Sequence, residues 1–514
     1  MKKWKQITAG IMAVILAASC LAGCGKENEG KEGDKKTIEI ACWNAGLGTV
    51  WLDELITAFE EDYPEYHVEY TATASATAVT APFRNEGSDT VDIYMAVKEY
   101  DKEYMEPLDD VLDSTAEGES KTIREKINPS YLEMETASDG KVYSLTFGGG
   151  VLGIVYNKEL FEQAGIRTLP RTTDELESVC DALASVDIVP FCHYKTSGYW
   201  NFMSEVFFAQ YDGLDYYINS FYGCTDENGN SPSKDVFTKK DGRYAALKAY
   251  EKIITPDYVL AGSNSNDHVT MQTEFLSGKA AMMVNGAWLS HEMSSIGSVE
   301  NFETMKTPVI STITDKLTTV KKEQELRKVI TAIDAVTDGT ADISEYRNGD
   351  GYTVNGLEVS AADWDYVRKA RNSVAANFSG EGMFIPRYSD AKEGAKEFIK
   401  YIYSDKGYKI YTDALHVTLP ITMDSGELDT SEWNSFEKNQ LDLFLKAEQV
   451  VTDYIMSKHE IFSVGGASSF ANYQYVNKFC SNNVADRQNA EEAWESMIAI
   501  VEKDYENSWL ANMK

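Results

Sequence analysis

Trp43 and Asn44 follow directly after the first predicted strand of the chain, a position where α/β proteins gather ligands. Ile38, Ile40 and Cys42 alternate with polar or small residues, and this period of two predicts the strand. Open α/β sheets bind their ligands at the carboxyl ends of their strands. A tryptophan ring covers an apolar C–H face, and an asparagine amide pairs with hydroxyls. The pair therefore suits a ligand with many hydroxyl groups.

Motifs of the common enzyme classes are absent from the sequence: there is no G-x-S-x-G, H-E-x-x-H, Walker loop or dinucleotide fingerprint. The histidines show no metal-ligand spacing: His67, His193, His268, His291, His416 and His459. A glycoside-hydrolysing carboxylate pair is defined by separation in space, so a glycoside-active enzyme stays an alternative. The adjacent Tyr216 and Tyr217 leave a ferric-ion site open. No cofactor is expected.

The N-terminus carries a chemical signal of its own. Three lysines within residues 2–5 precede an apolar run over residues 7–21, which is shorter than the about 20 residues of a membrane span. This pattern predicts a signal peptide over 1–23. Leu21-Ala22-Gly23-Cys24 resembles a bacterial lipobox, in which the cysteine receives the lipid. We therefore expect a lipidated Cys24 and a flexible linker over 24–36, which anchor the protein to the extracytoplasmic face of the cell membrane.

The charge and the cysteine content of the chain limit the classes of function that it can have. The formal net charge of −34 argues against nucleic-acid binding, which needs clustered Lys and Arg, and indicates a solvated acidic surface. Five cysteines follow Cys24, an odd number without any C-x-x-C: Cys42, Cys180, Cys192, Cys224 and Cys480. We expect them to be small buried residues, and one disulfide stays open.

Strand and helix patterns alternate from residue 37 onward. Residues 50–59 have the apolar spacing of a helix, and residues 152–156 and 280–284 are short apolar runs typical of buried strands. This rhythm predicts an α/β fold with a mostly parallel sheet. Helices are predicted later in the chain at 391–403, 432–455 and 490–505.

Several ordered segments resemble family 1 of the extracellular solute-binding proteins, the family of maltose-binding protein. They include Gly140 to Tyr143, Ile154 to Phe161, Phe275 to Met282 with the following Gly286-Ala287-Trp288, and Ala395 to Ile399. Their order over roughly residues 38–494 makes the resemblance specific.

The resemblance implies a type II periplasmic-binding-protein-like fold of two α/β lobes, joined by hinge segments that cross more than once. Lobe 1 is expected at 37–148 and 308–418, and lobe 2 at 149–307 and 419–514, with an insertion near 315–380. The implied function is the capture of a carbohydrate between the lobes and its delivery to the permease of an ABC importer, by a monomer. A non-sugar solute (polyamine, peptide, phosphorylated polyol or ferric ion) is the alternative.

Beyond Trp43 and Asn44, the resemblance implies these ligand-binding residues: Lys98, Glu99, Trp200, Asn201, Trp288 and Tyr473. One departure concerns Gly148-Gly149-Gly150. Maltose-binding protein presents a carboxylate in this crossing segment, at the counterpart of Gly150, so its specificity is not expected here.

Overall fold

The computed structural model describes residues 35–44, 46–83, 90–97, 102–196, 198–378, 380–452, 455, 457–465, 467 and 473–513. The strands are β1 (Lys36–Trp43), β2 (Tyr66–Thr73), β3 (Ile93–Ala96), β4 (Leu145–Thr146), β5 (Val151–Asn157), β6 (Phe191–Cys192), β7 (Met282–Gly286), β8 (Phe302–Thr304), β9 (Arg347–Asn348), β10 (Gly351–Val354), β11 (Leu357–Val359), β12 (Ser373–Ala376), β13 (Gly382–Phe384) and β14 (Gln449–Val451).

The α-helices are α1 (Val50–Asp62), α2 (Ala76–Thr80), α3 (Asp109–Leu112), α4 (Ile123–Lys126), α5 (Pro129–Glu135), α6 (Lys158–Gln163), α7 (Thr173–Ala184), α8 (Tyr199–Asp212), α9 (Asp235–Thr238), α10 (Gly242–Ile253), α11 (His268–Leu276), α12 (Trp288–Glu292), α13 (Glu323–Thr337), α14 (Ala361–Arg371), α15 (Lys392–Ile402), α16 (Asp405–Leu415), α17 (Ser435–Leu445), α18 (Tyr473–Phe479), α19 (Ala490–Asp504) and α20 (Leu510–Asn512). None of these described helices is long and apolar enough to cross a membrane.

The first sheet has the strand order β2-β1-β3-β13-β4 and forms the first lobe. β1 pairs in parallel with β2 and β3, whereas β13 runs antiparallel to β3 and β4. α1 covers this sheet with Trp51, Leu52, Leu55 and Phe59, which recur on one helix face as the sequence predicts. Trp51 packs edge-on against Tyr411 of α16, with 5.1 Å between ring centroids.

The second sheet has the order β14-β12-β5-β7-β6, with β8 also paired to β5. β5 is buried along its whole length, which explains its unbroken apolar sequence. It runs antiparallel to β7, β8 and β12. The prediction of a mostly parallel sheet is therefore wrong, because β5 enters this sheet straight from the first lobe and not through a crossover helix.

Two short segments join the sheets side by side. Residues 147–150 lead from β4 to β5, and residues 377–381 lead back from β12 to β13. The Phe147 N–H donates to the Glu381 carbonyl (3.2 Å), and the Asn377 N–H donates to the Gly150 carbonyl (3.0 Å). The two-lobe α/β architecture with more than one crossing is thus the observed one.

The insertion near 315–380 packs on the second lobe, not on the first. α13 buries Leu326, Val329 and Ile330 in the core that also holds the β5 and α8 side chains. Trp364 of α14 stacks on Tyr352 of the β10–β11 hairpin, with 4.3 Å between centroids. Residues 308–376, which were expected in lobe 1, therefore belong with the second lobe, since these helices pack on the second core and β12 pairs within the second sheet. The remaining lobe boundaries stay predictions.

The predicted helix over 432–455 is shorter in the structure. α17 ends at Leu445, and β14 follows in parallel pairing with β12. Val450 and Val451 are buried in this strand. β-branched residues favour a buried strand, and here they end the helical pattern.

The five cysteines of the folded body are buried and free in the part of the chain that the structure describes. Cys42 lies in β1 and Cys192 in β6. Their role as small buried residues agrees with the sequence prediction, and the described chain holds no disulfide.

Candidate functional site

A cavity of about 340 Å³ lies between the two lobes, beside both crossing segments. This volume falls within the usual range of small-molecule sites. The first lobe and the crossings contribute Trp43, Gly46, Leu47, Val97, Gly149, Asn377, Gly380 and Glu381. The second lobe contributes Tyr194, Gly198, Tyr199, Phe202, Trp288 and Glu292.

Trp43 reaches the cavity because it is the last residue of β1, as the topology of open α/β sheets predicts. Its indole N–H donates to the Ala74 carbonyl at 3.3 Å, which orients the ring. Asn44 is exposed, and its backbone N–H donates to the Thr73 carbonyl at 2.9 Å. Asn44 is not among the cavity-lining residues, so of this predicted pair only the tryptophan lines the cleft.

Three aromatic rings form the wall on the second lobe. Tyr199 lies 5.5 Å from Trp288 and 4.8 Å from Tyr194 between ring centroids, in tilted and edge-on arrangements. Burial raises the pKa of Tyr199, and the neighbouring Tyr194 and Glu292 add to the effect. Its hydroxyl therefore stays protonated and can donate a hydrogen bond at any physiological pH.

Trp288 begins α12 just after β7 ends at Gly286. A Cβ at Gly286 would stand 2.2 Å from the Trp288 ring, so the glycine leaves room for the indole at the end of the strand. Trp288 also packs against the cores of both lobes. The structure thus places this predicted residue at the lobe boundary, in the cleft.

Trp200 and Asn201 are both buried outside the cavity, which corrects their expected role. Trp200 packs in the second core between Phe191 and Tyr250, with centroid distances of 5.3 and 5.2 Å. Consecutive helical residues point about 100° apart. At the start of α8, Tyr199 therefore faces the cleft while Trp200 faces the core.

The remaining predicted residues lie, wholly or in their side chains, outside the part of the chain that the structure describes. Lys98, Glu99 and Cys24 lie outside the described residues. Tyr473 begins α18, and its side chain lies outside the described part of the structure. Their predicted roles stay predictions.

The glycine segment is shaped by its neighbours. Gly150 has a φ of +147°, and a Cβ there would stand 2.7 Å from the Cβ of Ala287. Gly149 has a φ of +99°, and a Cβ would stand 2.4 Å from the Asn377 carbonyl oxygen. Both positions therefore exclude side chains on steric grounds. A carboxylate in this part of the cleft has to come from another segment.

Glu381 supplies that carboxylate from the return crossing. Burial raises its pKa to about 7, against a smaller lowering by a hydrogen bond from the Gly149 backbone. A second carboxylate, Glu292, stands on the other lobe, where it accepts a hydrogen bond from the Gln272 amide at 3.0 Å. His268 lies 3.6 Å from Glu292.

Several of these cavity residues escaped the sequence analysis: Tyr194, Tyr199, Phe202, Glu292, Asn377 and Glu381. The sequence indicated an aromatic ligand-binding residue at this place, in Trp200. It did not show that the neighbouring Tyr199 is the residue on the cleft side of the helix. No pattern distinguished Glu381 from the other acidic residues.

A metal centre finds no support in the described chain, where no cluster of three or more His, Cys, Asp or Glu side chains could hold an ion. Tyr217 is buried, and its hydroxyl donates to the Thr452 carbonyl at 2.8 Å. Tyr216 packs beneath the Lys239 ammonium. Neither tyrosine lines the cleft.

Curated relatives share part of the chain. A multiple sugar-binding protein of Streptococcus mutans is 26% identical over 301 residues, which cover 56% of this chain and 66% of the relative. A binding protein of Brucella abortus is 25% identical over 299 residues, covering 57% and 65%. The match therefore spans somewhat less than two-thirds of the length of these relatives.

Solved structures share the whole fold. The solute receptor AcbH, described as preferring β-D-galactopyranose exclusively, superposes with a TM-score of 0.60 at 14% identity, over 93% of this chain and 99% of AcbH. RafE in complex with raffinose superposes with a TM-score of 0.56 at 14% identity, over 91% and 98%. These likenesses confirm the type II two-lobe α/β fold.

The family model of the bacterial extracellular solute-binding proteins matches residues 45–409, well over half of the chain. The match begins just before α1 and ends within α16, so it includes both crossing segments and every cavity-lining residue except Trp43. The sequence resemblance is thereby confirmed: this chain belongs to the bacterial extracellular solute-binding protein family.

Proposed function

We propose that the protein is the lipid-anchored binding component of an ABC importer, and that it captures a carbohydrate, specifically an oligosaccharide, in the interlobe cleft. The observation that carries the proposal is the aromatic lining from both lobes: Trp43 on one side, and Tyr199 and Trp288 on the other. Sugar rings offer apolar C–H faces that stack on such planes.

Polar groups around the rings fit the hydroxyls of the same ligand. Asn377, Glu381 and Glu292 line the cleft with amide and carboxylate groups, which pair with vicinal hydroxyls. The names of the relatives agree with this choice of ligand, since the Streptococcus mutans relative is a multiple sugar-binding protein and RafE was solved with raffinose.

The proposed mechanism is capture followed by hinge closure. Bending at residues 147–150 and 377–381 moves the two lobes toward each other, so that Trp43 of the first lobe and Trp288 of the second close around the sugar. The closed protein then docks on the permease subunits of the importer. Receptor proteins of this kind bind their ligand without changing it, so no turnover of a glycoside is expected.

Isothermal titration of the purified protein tests the ligand class. The panel contains raffinose, maltotriose, xylobiose and galactose, with spermidine, a tripeptide, glycerol 3-phosphate and ferric citrate as the non-sugar arms. We expect 1:1 binding confined to carbohydrates. Binding confined to a non-sugar arm would overturn the carbohydrate assignment, and release of monosaccharide from an oligosaccharide would overturn the receptor role.

The lipid anchor has its own test. The lipobox predicts that Cys24 carries the lipid, so Cys24→Ser should move the protein from the membrane fraction to the soluble fraction of the producing cells. Cys42→Ser is the matched control, because that thiol is buried in β1. Equal membrane association of the Cys24→Ser variant would contradict the anchor.

A further inference from the structure

Glu381 lies at the junction of the two crossing segments. Its carboxyl occupies the space that a side chain at Gly148 would fill. An ideal Cβ on Gly148 would stand 1.9 Å from the Glu381 Oε2. Gly148, unlike Gly149 and Gly150, does not have a positive φ, so its backbone would accept another residue. A side chain at residue 148 would therefore displace the Glu381 carboxyl, although the turn itself would accept one.

The carboxyl is poorly supplied with partners for a charged group. Glu381 is 9% exposed, and the Gly149 backbone is the hydrogen-bond donor acting on it. No ion pair of Glu381 occurs within the described residues. A buried carboxylate without a cation is costly, and hydrogen bonds from a ligand would reduce that cost.

Among the residues that the structure describes, few other titratable groups surround Glu381. Cys42 of β1 and Tyr411 of α16 face it within the first lobe. Burial raises the pKa of Cys42 to about 12, and it raises the pKa of Tyr411 well above its ordinary value. The buried Tyr411 hydroxyl has no hydrogen-bond partner in the described chain. Glu292 and its neighbour His268 stand on the opposite lobe.

We propose that Glu381 is a specificity-determining residue of the cleft, whose ionised carboxylate accepts hydrogen bonds from hydroxyls of the bound carbohydrate. This inference rests on the proposed function. The carboxylate comes from the return crossing, and Gly148 keeps its place free. Because the ligand favours the ionised form, the carboxyl proton of the free protein passes to the buffer when the ligand binds.

The proposal sets the pH dependence of binding. With a carboxyl pKa of about 7 in the free protein, about one-tenth is ionised at pH 6 and about nine-tenths at pH 8. The association constant should therefore rise about tenfold between these pH values. About 0.9 proton should be released per ligand at pH 6, and about 0.1 at pH 8.

Titration calorimetry in two buffers of different ionisation enthalpy measures affinity and proton release together. Raffinose, maltotriose and xylobiose are titrated separately, and the tightest binder is carried into the variants. Glu381→Gln should bind more weakly than the wild type at both pH values, by at least about tenfold at pH 8, with no rise in affinity between them and no proton release. Gly148→Ala keeps every charge but displaces the carboxyl, and should also flatten the pH dependence.

His268→Gln is the control, because this imidazole stands beside Glu292 on the opposite lobe. It should keep the tenfold rise. Affinity independent of pH in the wild type, or an unchanged rise in Glu381→Gln, would overturn the proposal while leaving the sugar-binding function intact. Failure of all three sugars to bind would overturn the proposed function and this inference with it.

Discussion

Tyr199 and Trp288 lie 5.5 Å apart between ring centroids with their planes tilted by 56°, although they are 89 positions apart in the sequence. Each is the first residue of a helix, α8 and α12 respectively. Rings fixed at helix starts lose little freedom when a ligand arrives, so this wall of the cleft is formed before binding.

Trp288→Ala tests the importance of this wall. The substitution removes both the buried area and the stacking of the indole, so we expect a loss of about 2 kcal/mol, or roughly thirtyfold in affinity. Titration calorimetry with the carbohydrate ligand measures it. Tyr244→Ala is the control, since Tyr244 packs on Trp494 away from the cleft. Equal affinities of wild type and Trp288→Ala would exclude Trp288 from the binding site.

Tyr199→Ala and Trp288→Ala should not be independent. Because the two rings touch, removing the first already disorders the second, and the double variant should lose less affinity than the sum of the single losses. A double-mutant cycle by calorimetry measures the coupling, which we expect to be about 0.5–1.5 kcal/mol. Strict additivity would show that the wall does not act as a unit.

Trp200→Ala should act on stability and not on the ligand. Trp200 is 1% exposed in the second core, and large aromatic-to-alanine changes in cores cost about 3–5 kcal/mol. Urea denaturation measures the loss, and titration of the folded variant measures the affinity. Reduced affinity at unchanged stability would show that Trp200 contributes to the binding site after all.

The stability of the ligand-free protein should depend on the protonation of Glu381. Its pKa is raised by burial to about 7, above the ordinary 4.5, so the folded state holds the proton more tightly than the unfolded chain. The resulting stabilisation is complete below about pH 4.5 and is lost as the pH rises through about 7. It amounts to at most about 3 kcal/mol.

Urea denaturation of wild type and Glu381→Gln at pH 5 and pH 8 isolates this effect, because all other carboxyls are common to both proteins. The wild type should lose more stability than the variant between the two pH values. The same loss in both proteins would show that Glu381 does not carry a raised pKa.

Gly150→Ala should disturb the first crossing. The φ of +147° disfavours any side chain, and the new methyl would collide with Ala287, the neighbour of Trp288. We expect a loss of stability of about 1–3 kcal/mol together with weaker ligand binding. Gly140→Ala is a comparison at a positive φ in open space, where strain acts without collision and affinity should not change.

The elements of the fold were largely predictable, because their periodicity is a local property. β1, α1 and β5 follow from alternating, helical and unbroken apolar patterns. The direction of β5 was not predictable, since the same residues are buried in a parallel or an antiparallel pairing. The lobe on which α13 packs was not predictable either, because an amphipathic pattern shows which helix face is buried but not what it packs against.

The site was predictable only where a residue ends a recognisable element. Trp43 ends β1 and Trp288 follows the glycine that ends β7, and both line the cleft. Trp200 differs from the cleft residue Tyr199 by a single position, and adjacent residues of an amphipathic helix cannot be assigned to core or cleft without the fold. Glu381 is one of 82 acidic residues, and only its contact with Gly148 singles it out.

A crystal structure of the protein with the carbohydrate that binds most tightly is the most decisive test of sugar binding in the interlobe cleft. We expect a sugar ring enclosed between Trp43 and the Tyr199–Trp288 wall, with a hydroxyl in hydrogen-bond distance of the Glu381 carboxylate. A carbohydrate bound outside the interlobe cleft, or a cleft closed around a different class of solute, would contradict it.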